Sequence, residues 1–494
     1  MSRPEVQAWR DPLRPAAERI GDLLGQMTLA EKVAQLTSVW LGNEPRDPSV
    51  VPMEGEFTAP LPPLADVIKD GLGQLTRVFG TRPVPPAVAA STLGELQARI
   101  AAASRFGIPA VAHEECLTGF AAWTATIFPT PLAWGASFDP GLVHEMAAAI
   151  GASMHAAGIH QGLAPVLDVT RDLRWGRVEE TIGEDPYLVG TIGTAYVRGL
   201  QSAGIQATLK HFAGHSASRA GRNLAPVSIG PREFTDVILV PFEMAIRLGG
   251  ARSVMPSYSD VDGVPVSADR SLLTGLLRDE LGFDGVAVSD YGAIAYLQSQ
   301  HAVAGTAAQA AALALDAGLD VELPTIACYG PVLLDAVRDG LIPEELVDRA
   351  AARVLRQKCD LGLLDPGWSA QAGAADGAVI DLDPPGPREL ARRLAEESIV
   401  LLANHERAGR EGAVQRPALP LTADASIAVI GALADDPLAF FGCYSMPRHL
   451  GDRYPGAAEG PAAATVLGAL RAELPSAEIS YAPGCTVRGD DRSG

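Results

Sequence analysis

Val286-Ala287-Val288-Ser289-Asp290-Tyr291-Gly292 is an apolar run that ends on a carboxylate and a glycine. Its apolar residues are continuous rather than alternating with polar ones, the pattern of a parallel strand buried on both faces. Working outward, the same composition recurs at Leu36–Trp40, Gln74–Val78, Ala110–His113, Leu163–Val169, Ala207–Phe212, Ser253–Tyr258 and Val321–Leu323. Helical stretches such as Pro140–Ala156, Arg232–Leu248 and Ala307–Ala317 lie between them. Strand–helix alternation repeated about eight times predicts a (β/α)₈ TIM-type barrel, an α/β fold.

The barrel is preceded by a helix at Ala16–Gly25 and by Thr28-x-x-Glu31, which has the form of a capping box. It closes on the helix Pro343–Leu361, with proline in the first turn and Gly362 just past the end. Asp365–Pro387 is rich in Ala, Gly and Pro and reads as a linker. These limits place the barrel at residues 1–366, the linker at 367–387 and a second unit at 388–494. In that unit the pattern predicts helix Arg388–Ser398, strands Ile399–Leu402, Ile427–Ile430 and Ile479–Tyr481, and helix Thr465–Leu474. Three strands make a poor doubly wound sheet, so this α/β sandwich reads as incomplete.

With 494 residues, 47% hydrophobic and 20% charged, the chain has ample material for large buried cores. Its 39 basic and 59 acidic residues leave a net charge of −20, which disfavours nucleic acid and anionic membranes and suits a neutral ligand such as a sugar. The five cysteines, Cys116, Cys328, Cys359, Cys443 and Cys485, are scattered and show no metal-ligand spacing. Free thiols, an N-terminus without an apolar targeting core and no run of membrane-spanning length make the expected location cytoplasmic. Homo-oligomerisation is left open.

Barrel enzymes build their sites at the C-terminal ends of the strands. Asp290 stands at such an end, either as nucleophile or base, or as N-cap of the following segment Gly292–Ser299. Strand Ala207–Phe212 delivers Lys210 and His211. Leu163–Val169 leads into Arg171, Asp172, Arg174, Trp175, Arg177, Glu179 and Glu180, which read as a binding wall or as an internal salt-bridge network. Asp185 before Pro186 is a helix cap and first position, a structural feature. The strand ends carry carboxylates, Lys, His, Arg and Trp, with no Gly-rich phosphate loop, metal triad or serine elbow. Carboxylates among hydroxyl-binding donors suit glycosidic chemistry.

Five ordered stretches, HEECLTGFAAWTATIFPTPLAWGASFDP from His113, RDLRWGRVEETIGEDPYLVG from Arg171, LKHFAGHSASRAGRN from Leu209, SVMPSYSDVDGVPVSADRSLLTGLLRDELGFDGVAVSDYGAI from Ser253 and DAGLDVELP from Asp316, resemble family 3 glycoside hydrolases. The resemblance runs from about Arg19 to the last residue and implies a barrel followed by an α/β sandwich. It implies Asp290 of the SDY motif as catalytic nucleophile. It places Arg177 of WGR, Lys210 and His211 of KHF, and Tyr258 of SYSD around the first sugar, with Glu115 gripping its outer hydroxyls. Asp168 falls on a common family position and is read as structural. Two departures stand out: Thr118 replaces the His of the family glucosidases, and the family's acid/base Glu lies in the second domain, beyond Gly494.

The activity so implied is that of a retaining exo-acting β-glycosidase, removing terminal β-D-xylosyl or β-D-glucosyl residues through a covalent Asp290–glycosyl intermediate without cofactor or metal. Three other readings stand beside it. One is an N-acetylglucosaminidase, poorly matched by the loop Ala213–Ser218. Another is a phosphorylase, which phosphate dependence would reveal. The third is a non-catalytic or impaired sugar-binding barrel, prompted by the missing acid/base residue.

Overall fold

The computed structural model describes residues 7–42, 62–370, 380–405, 417–450, 454, 463–487 and 489–492. Residues 371–379 of the linker read from the sequence lie outside the described residues. Seven parallel strands, β1 (Ser38–Val39), β2 (Gln74–Thr76), β3 (Val111–Glu114), β4 (Gln161–Gly162), β5 (Gln206–Phe212), β6 (Ser253–Pro256) and β9 (Val286–Ala287), follow one another around a curled sheet. A short hairpin, β7 (Asp260–Val261) with β8 (Val264–Pro265), lies outside it. Every residue of β5 is buried, the polar Gln206, Thr208, Lys210 and His211 included, as a strand covered on both faces requires.

The predicted strand Val321–Leu323 is not a strand but a single bridge, Val288 to Val321. Its backbone still closes the barrel. Ser289 N donates to Val321 O (2.8 Å) and Asp320 N to Ala287 O (2.8 Å) on one side, and Glu322 N donates to Leu36 O (3.0 Å) on the other. The α/β barrel expected from the sequence is therefore present, with its eighth position filled by irregular backbone.

Three other expectations need correction. The fourth strand is Gln161–Gly162, not Leu163–Val169, because Pro165 has no N–H to give. The chain beyond it still runs beside β5, with Lys210 N donating to Pro165 O (3.1 Å) and Leu167 N to Lys210 O (2.7 Å). The predicted helix Arg232–Leu248 is three pieces: Pro231–Glu233, a π-turn at Phe234–Ile238 and Val240–Arg247. Pro241 breaks the regular ladder, and Leu239 N bonds to Phe234 O (3.0 Å) in the wider π register. Finally, Ile399–Leu402 is not a strand. All four side chains are exposed, Leu402 at 90%, because no described strand pairs with this run. The second unit holds helix Pro385–Glu397, helix Val466–Glu473 and a parallel pair, β10 (Ser426–Ile430) with β11 (Glu478–Ala482).

Local signals held where the chemistry was short-range. Thr28 and Glu31 form the capping box of helix Leu29–Ala34, and Asp185 Oδ1 accepts from Leu188 N (2.9 Å) ahead of Pro186. Helices Pro140–Ala156 and Pro186–Ser202 approach closely through Gly199, where a Cβ would lie 2.3 Å from His144 O. Among the described residues no helix is long and apolar enough to cross a membrane.

The N-terminal end of the barrel is plugged by amides. Gln161 donates to Thr208 Oγ1 (2.8 Å) and Ser253 Oγ (3.0 Å), and Gln357 donates to Gln161 Oε1 and Gln206 Oε1 (3.0 Å each). Below them the buried Lys358 ammonium donates to Gln35 Oε1 (2.6 Å) and Leu72 O (2.7 Å).

Asp320 ties the closing segment to the barrel. Its Oδ2 accepts from Arg278 Nη2 (2.7 Å) and Ala287 N (2.9 Å), and its Oδ1 accepts from Arg353 Nη1 (2.9 Å). Asp320→Ala strands the buried Arg278 charge and is expected to cost about 3–5 kcal/mol of stability. Urea unfolding measures this, and an unchanged midpoint would contradict the role given to Asp320.

Candidate active site

Asp290 follows β9 at the C-terminal mouth of the barrel. Its Oδ1 accepts from Tyr291 N (2.7 Å), while its Oδ2 is buried without a hydrogen-bond partner. The Tyr258 hydroxyl donates to Tyr291 O (2.8 Å) and braces the same turn from β6. Burial pushes the Asp290 carboxyl up to about 6, opposed in part by the Arg177 charge. Capping does not explain this residue: Gly292, at φ 76°, holds the N-cap position of helix Ala293–Ser299.

Strand β5 points Lys210 and His211 into the same space. Lys210 Nζ meets Glu115 Oε2 at 2.9 Å, both groups buried, and lies 4.6 Å from the centroid of the Tyr444 ring. His211 is held from behind by Asp168, whose Oδ2 accepts from His211 N (3.1 Å) and pairs with Nδ1 (2.8 Å). On its other side, His211 Nε2 lies 3.7 Å from Asp290 Oδ2. Burial raises the Asp168 carboxyl to about 7, against the Arg177 charge, and lowers the His211 imidazole well below its ordinary value.

Of the three arginines in the Arg171–Arg177 stretch, only Arg177 turns into the pocket. Arg171 pairs with Glu233 and Arg174 with Asp172 at the surface. Arg177 is bidentate on Glu180, Nε to Oε1 and Nη2 to Oε2, each 2.7 Å. Nη2 also donates to the Tyr444 hydroxyl (3.2 Å). Trp175 stays out of the pocket lining. It is buried behind the pocket, with its indole N–H reaching Asn223 Oδ1 (3.4 Å).

The six residues singled out from the sequence, Glu115, Arg177, Lys210, His211, Tyr258 and Asp290, all line one pocket of about 220 Å³. That volume falls below the roughly 300–1,000 Å³ of drug-sized ligand sites and suits a single sugar ring. Sequence reasoning missed Arg77, Asn223, Met255, Tyr291, Tyr444 and His449, which line it too. Arg77 follows the end of β2, where the strand-end rule would have found it. Tyr444 and His449 come from the second unit, held to the barrel by Cys443 N donating to Glu179 Oε1 (2.8 Å). No strand pattern points to them. Behind Glu115, Glu114 accepts from Phe79 N (2.6 Å) and Gly80 N (3.3 Å), and burial raises its carboxyl to about 8. Among the described residues no cluster of three or more His, Cys, Asp or Glu is arranged to hold a metal ion.

Residues 28–357 match the glycosyl hydrolase family 3 N terminal domain. A β-xylosidase of Formosa agariphila is 34% identical over 427 residues, covering 81% of this chain and 56% of the relative. A β-glucosidase structure from Erythrobacter marinus is 35% identical with a TM-score of 0.81, covering 97% of this chain and 60% of that one. The β-glucosidase of Listeria innocua in complex with isofagomine is 30% identical with a TM-score of 0.77, covering 95% of this chain and 60% of that one. The chain thus spans rather more than half the length of these relatives. The domain match covers most of the barrel, and the pocket lies at the mouth of that same barrel, so the chain belongs to glycosyl hydrolase family 3.

Proposed function

We infer that this pocket is the sugar site of a retaining, exo-acting β-glycosidase that removes terminal β-D-xylosyl or β-D-glucosyl residues. The observation that carries this reading is Asp290 Oδ2, a buried carboxylate oxygen with no hydrogen-bond partner, opening on a one-ring pocket. The named activities of the relatives, β-xylosidase and β-glucosidase, support the substrate class.

Asp290 attacks the anomeric carbon as its carboxylate while an acid protonates the departing oxygen, and water later releases the glycosyl ester. Tyr291 N fixes one carboxylate oxygen and so aims the other. Arg177 and Lys210 offer donors to ring hydroxyls, while the His211 lone pair is taken up by Arg177 Nη2 (2.9 Å). Glu115, the other carboxylate lining the pocket, is committed to Lys210 at 2.9 Å and is poorly placed to serve as the proton donor. A buried carboxylate can also accept a sugar hydroxyl in a non-catalytic barrel, and the named glycosidase activities of the relatives favour the catalytic reading.

Asp290→Asn is expected to lower kcat on an aryl glycoside about 10⁴-fold or more, with the fold intact. A purified variant retaining a few per cent of activity would remove Asp290 from this role. With the carboxyl raised to about 6 and the carboxylate as the reacting form, activity is present above that pH and lost below it. The acid limb of log kcat/KM should therefore fall about one unit per pH unit below roughly pH 6. A flat profile down to pH 4.5 would show that Asp290 is not the titrating nucleophile.

Glu115 is one methylene longer than Asp and carries its carboxylate further toward the site of a hexose CH₂OH, which xylose lacks. Xylosides are expected to be accepted at least as well as glucosides. Glu115→Asp should shift the kcat/KM ratio toward glucose by about 1–3 kcal/mol. Nitrophenyl xyloside and glucoside compared in both proteins check this, and an unchanged ratio would dismiss it.

A further inference from the structure

Arg177 is more fully held than the sugar site alone requires. Besides Glu180 and Tyr444, two imidazoles face it: His211 Nε2 lies 2.9 Å from Nη2, and His215 Nε2 lies 3.2 Å from Nη1. A guanidinium has donors and no acceptor, so each imidazole must bring a lone pair to the contact. Both rings are then neutral, with the proton on Nδ1. The other side of His211 agrees, and the serine hydroxyls beside His215 are able to accept. His211 Nδ1 has Asp168 Oδ2 as acceptor (2.8 Å), and His215 Nδ1 has Ser259 Oγ (3.3 Å) and Ser257 Oγ (3.4 Å).

His215 is fully buried and outside the pocket lining. It sits in a short turn just beyond β5, entered through Gly214 at φ 98°. Trp175 meets its ring edge-on, at 5.3 Å and 90°, and His211 lies 4.9 Å away. These contacts leave the ring little freedom to rotate. Burial and the adjacent Arg177 charge disfavour its protonation, opposed in part by a hydrogen bond with Asn223.

We propose that His215 is a positioning residue: through Nε2 of its Nδ1–H tautomer it accepts a hydrogen bond from Arg177 and fixes the guanidinium plane presented to the sugar. The step from Arg177 to a sugar rests on the function proposed above; the His215 tautomer and its contact do not.

Two measurements on the intact chain test this. The first is imidazole ¹⁵N NMR of histidine-labelled protein, with the His215 signals assigned by their loss in His215→Phe. An unprotonated Nε2 and a protonated Nδ1 are expected at neutral pH, whereas an Nε2–H or doubly protonated ring overturns the proposal. This arm needs no activity, so it decides the His215 contact even if no glycoside is turned over. The second is kinetics on 4-nitrophenyl β-xyloside. His215→Phe keeps a buried ring and deletes the acceptor, and should raise KM roughly tenfold, the scale of one hydrogen bond to a charged group, with kcat within about threefold. His215→Gln returns an acceptor oxygen and should recover most of the loss. An unchanged KM in His215→Phe, or no recovery in His215→Gln at equal thermal stability, shows that the ring merely fills space.

Discussion

A guanidinium taken out of water sets the terms for everything around it, and in this chain that group is Arg177. Removing such a charge from solvent costs several kcal/mol unless geometry and hydrogen bonding compensate. The bidentate contact with Glu180 supplies the opposite charge. It leaves N–H groups on the far side that need neutral acceptors, and two imidazoles and a phenol are what stand there. The same cation then acts outward. It opposes the burial that raises Asp290 and Asp168, and it adds to the burial that lowers His211 and His215. One buried charge thus biases the protonation of four neighbours, and none of them can be read in isolation.

The two ends of the barrel meet the problem of buried polarity in different ways. At the N-terminal end the interior is filled by Gln74, Gln161, Gln206 and Gln357, whose amides donate and accept among themselves without net charge. Lys358 is the exception. Among the described residues an amide oxygen and a carbonyl accept from its ammonium, and burial lowers it to about 7. At the C-terminal end charges are paired instead, Lys210 with Glu115 and Arg177 with Glu180. Amides hold the frame together, whereas fixed charges pre-orient dipoles and donors toward a ligand, the usual division between the two faces of such barrels.

The barrel was legible because its buried strands leave short, largely apolar runs, and β2, β3, β5, β6 and β9 fell within about three residues of their expected positions. It failed where pairing, not composition, decides. Leu163–Val169 looks like a strand until Pro165 is counted as a missing donor, and Ile399–Leu402 has strand composition but no described neighbour to bond to. Pro241 split a helix that periodicity alone would continue. At the site, residues on strand ends were found because the barrel rule says where to look. The same rule applied to β2 would have yielded Arg77. The resemblance to the family brought Asp290 forward, since as a sequence feature a strand-end Asp before glycine reads equally well as a cap. Only the position of Gly292 and the partnerless Oδ2 separate the two.

Tyr444 and His449 mark where reading by strand order ends, and electrostatics explains why such residues belong to the site. The Lys210–Glu115 pair gains from its attraction only in so far as water is kept away, because the interaction weakens in proportion to the surrounding dielectric. Barrel strands wall the pair on its inner side but leave the mouth open. The ring of Tyr444, with its centroid 4.6 Å from the ammonium, adds an electron-rich face beside the cation. Its hydroxyl meanwhile reaches Arg177, so one side chain from the second unit touches two cations of the pocket. The segment bearing it is anchored on Glu179, next to the Glu180 that neutralises Arg177. Movement of that segment would therefore alter the shielding of one ion pair and the hydrogen bonding of the other together, which makes Tyr444 part of the pocket's electrostatics as well as its wall.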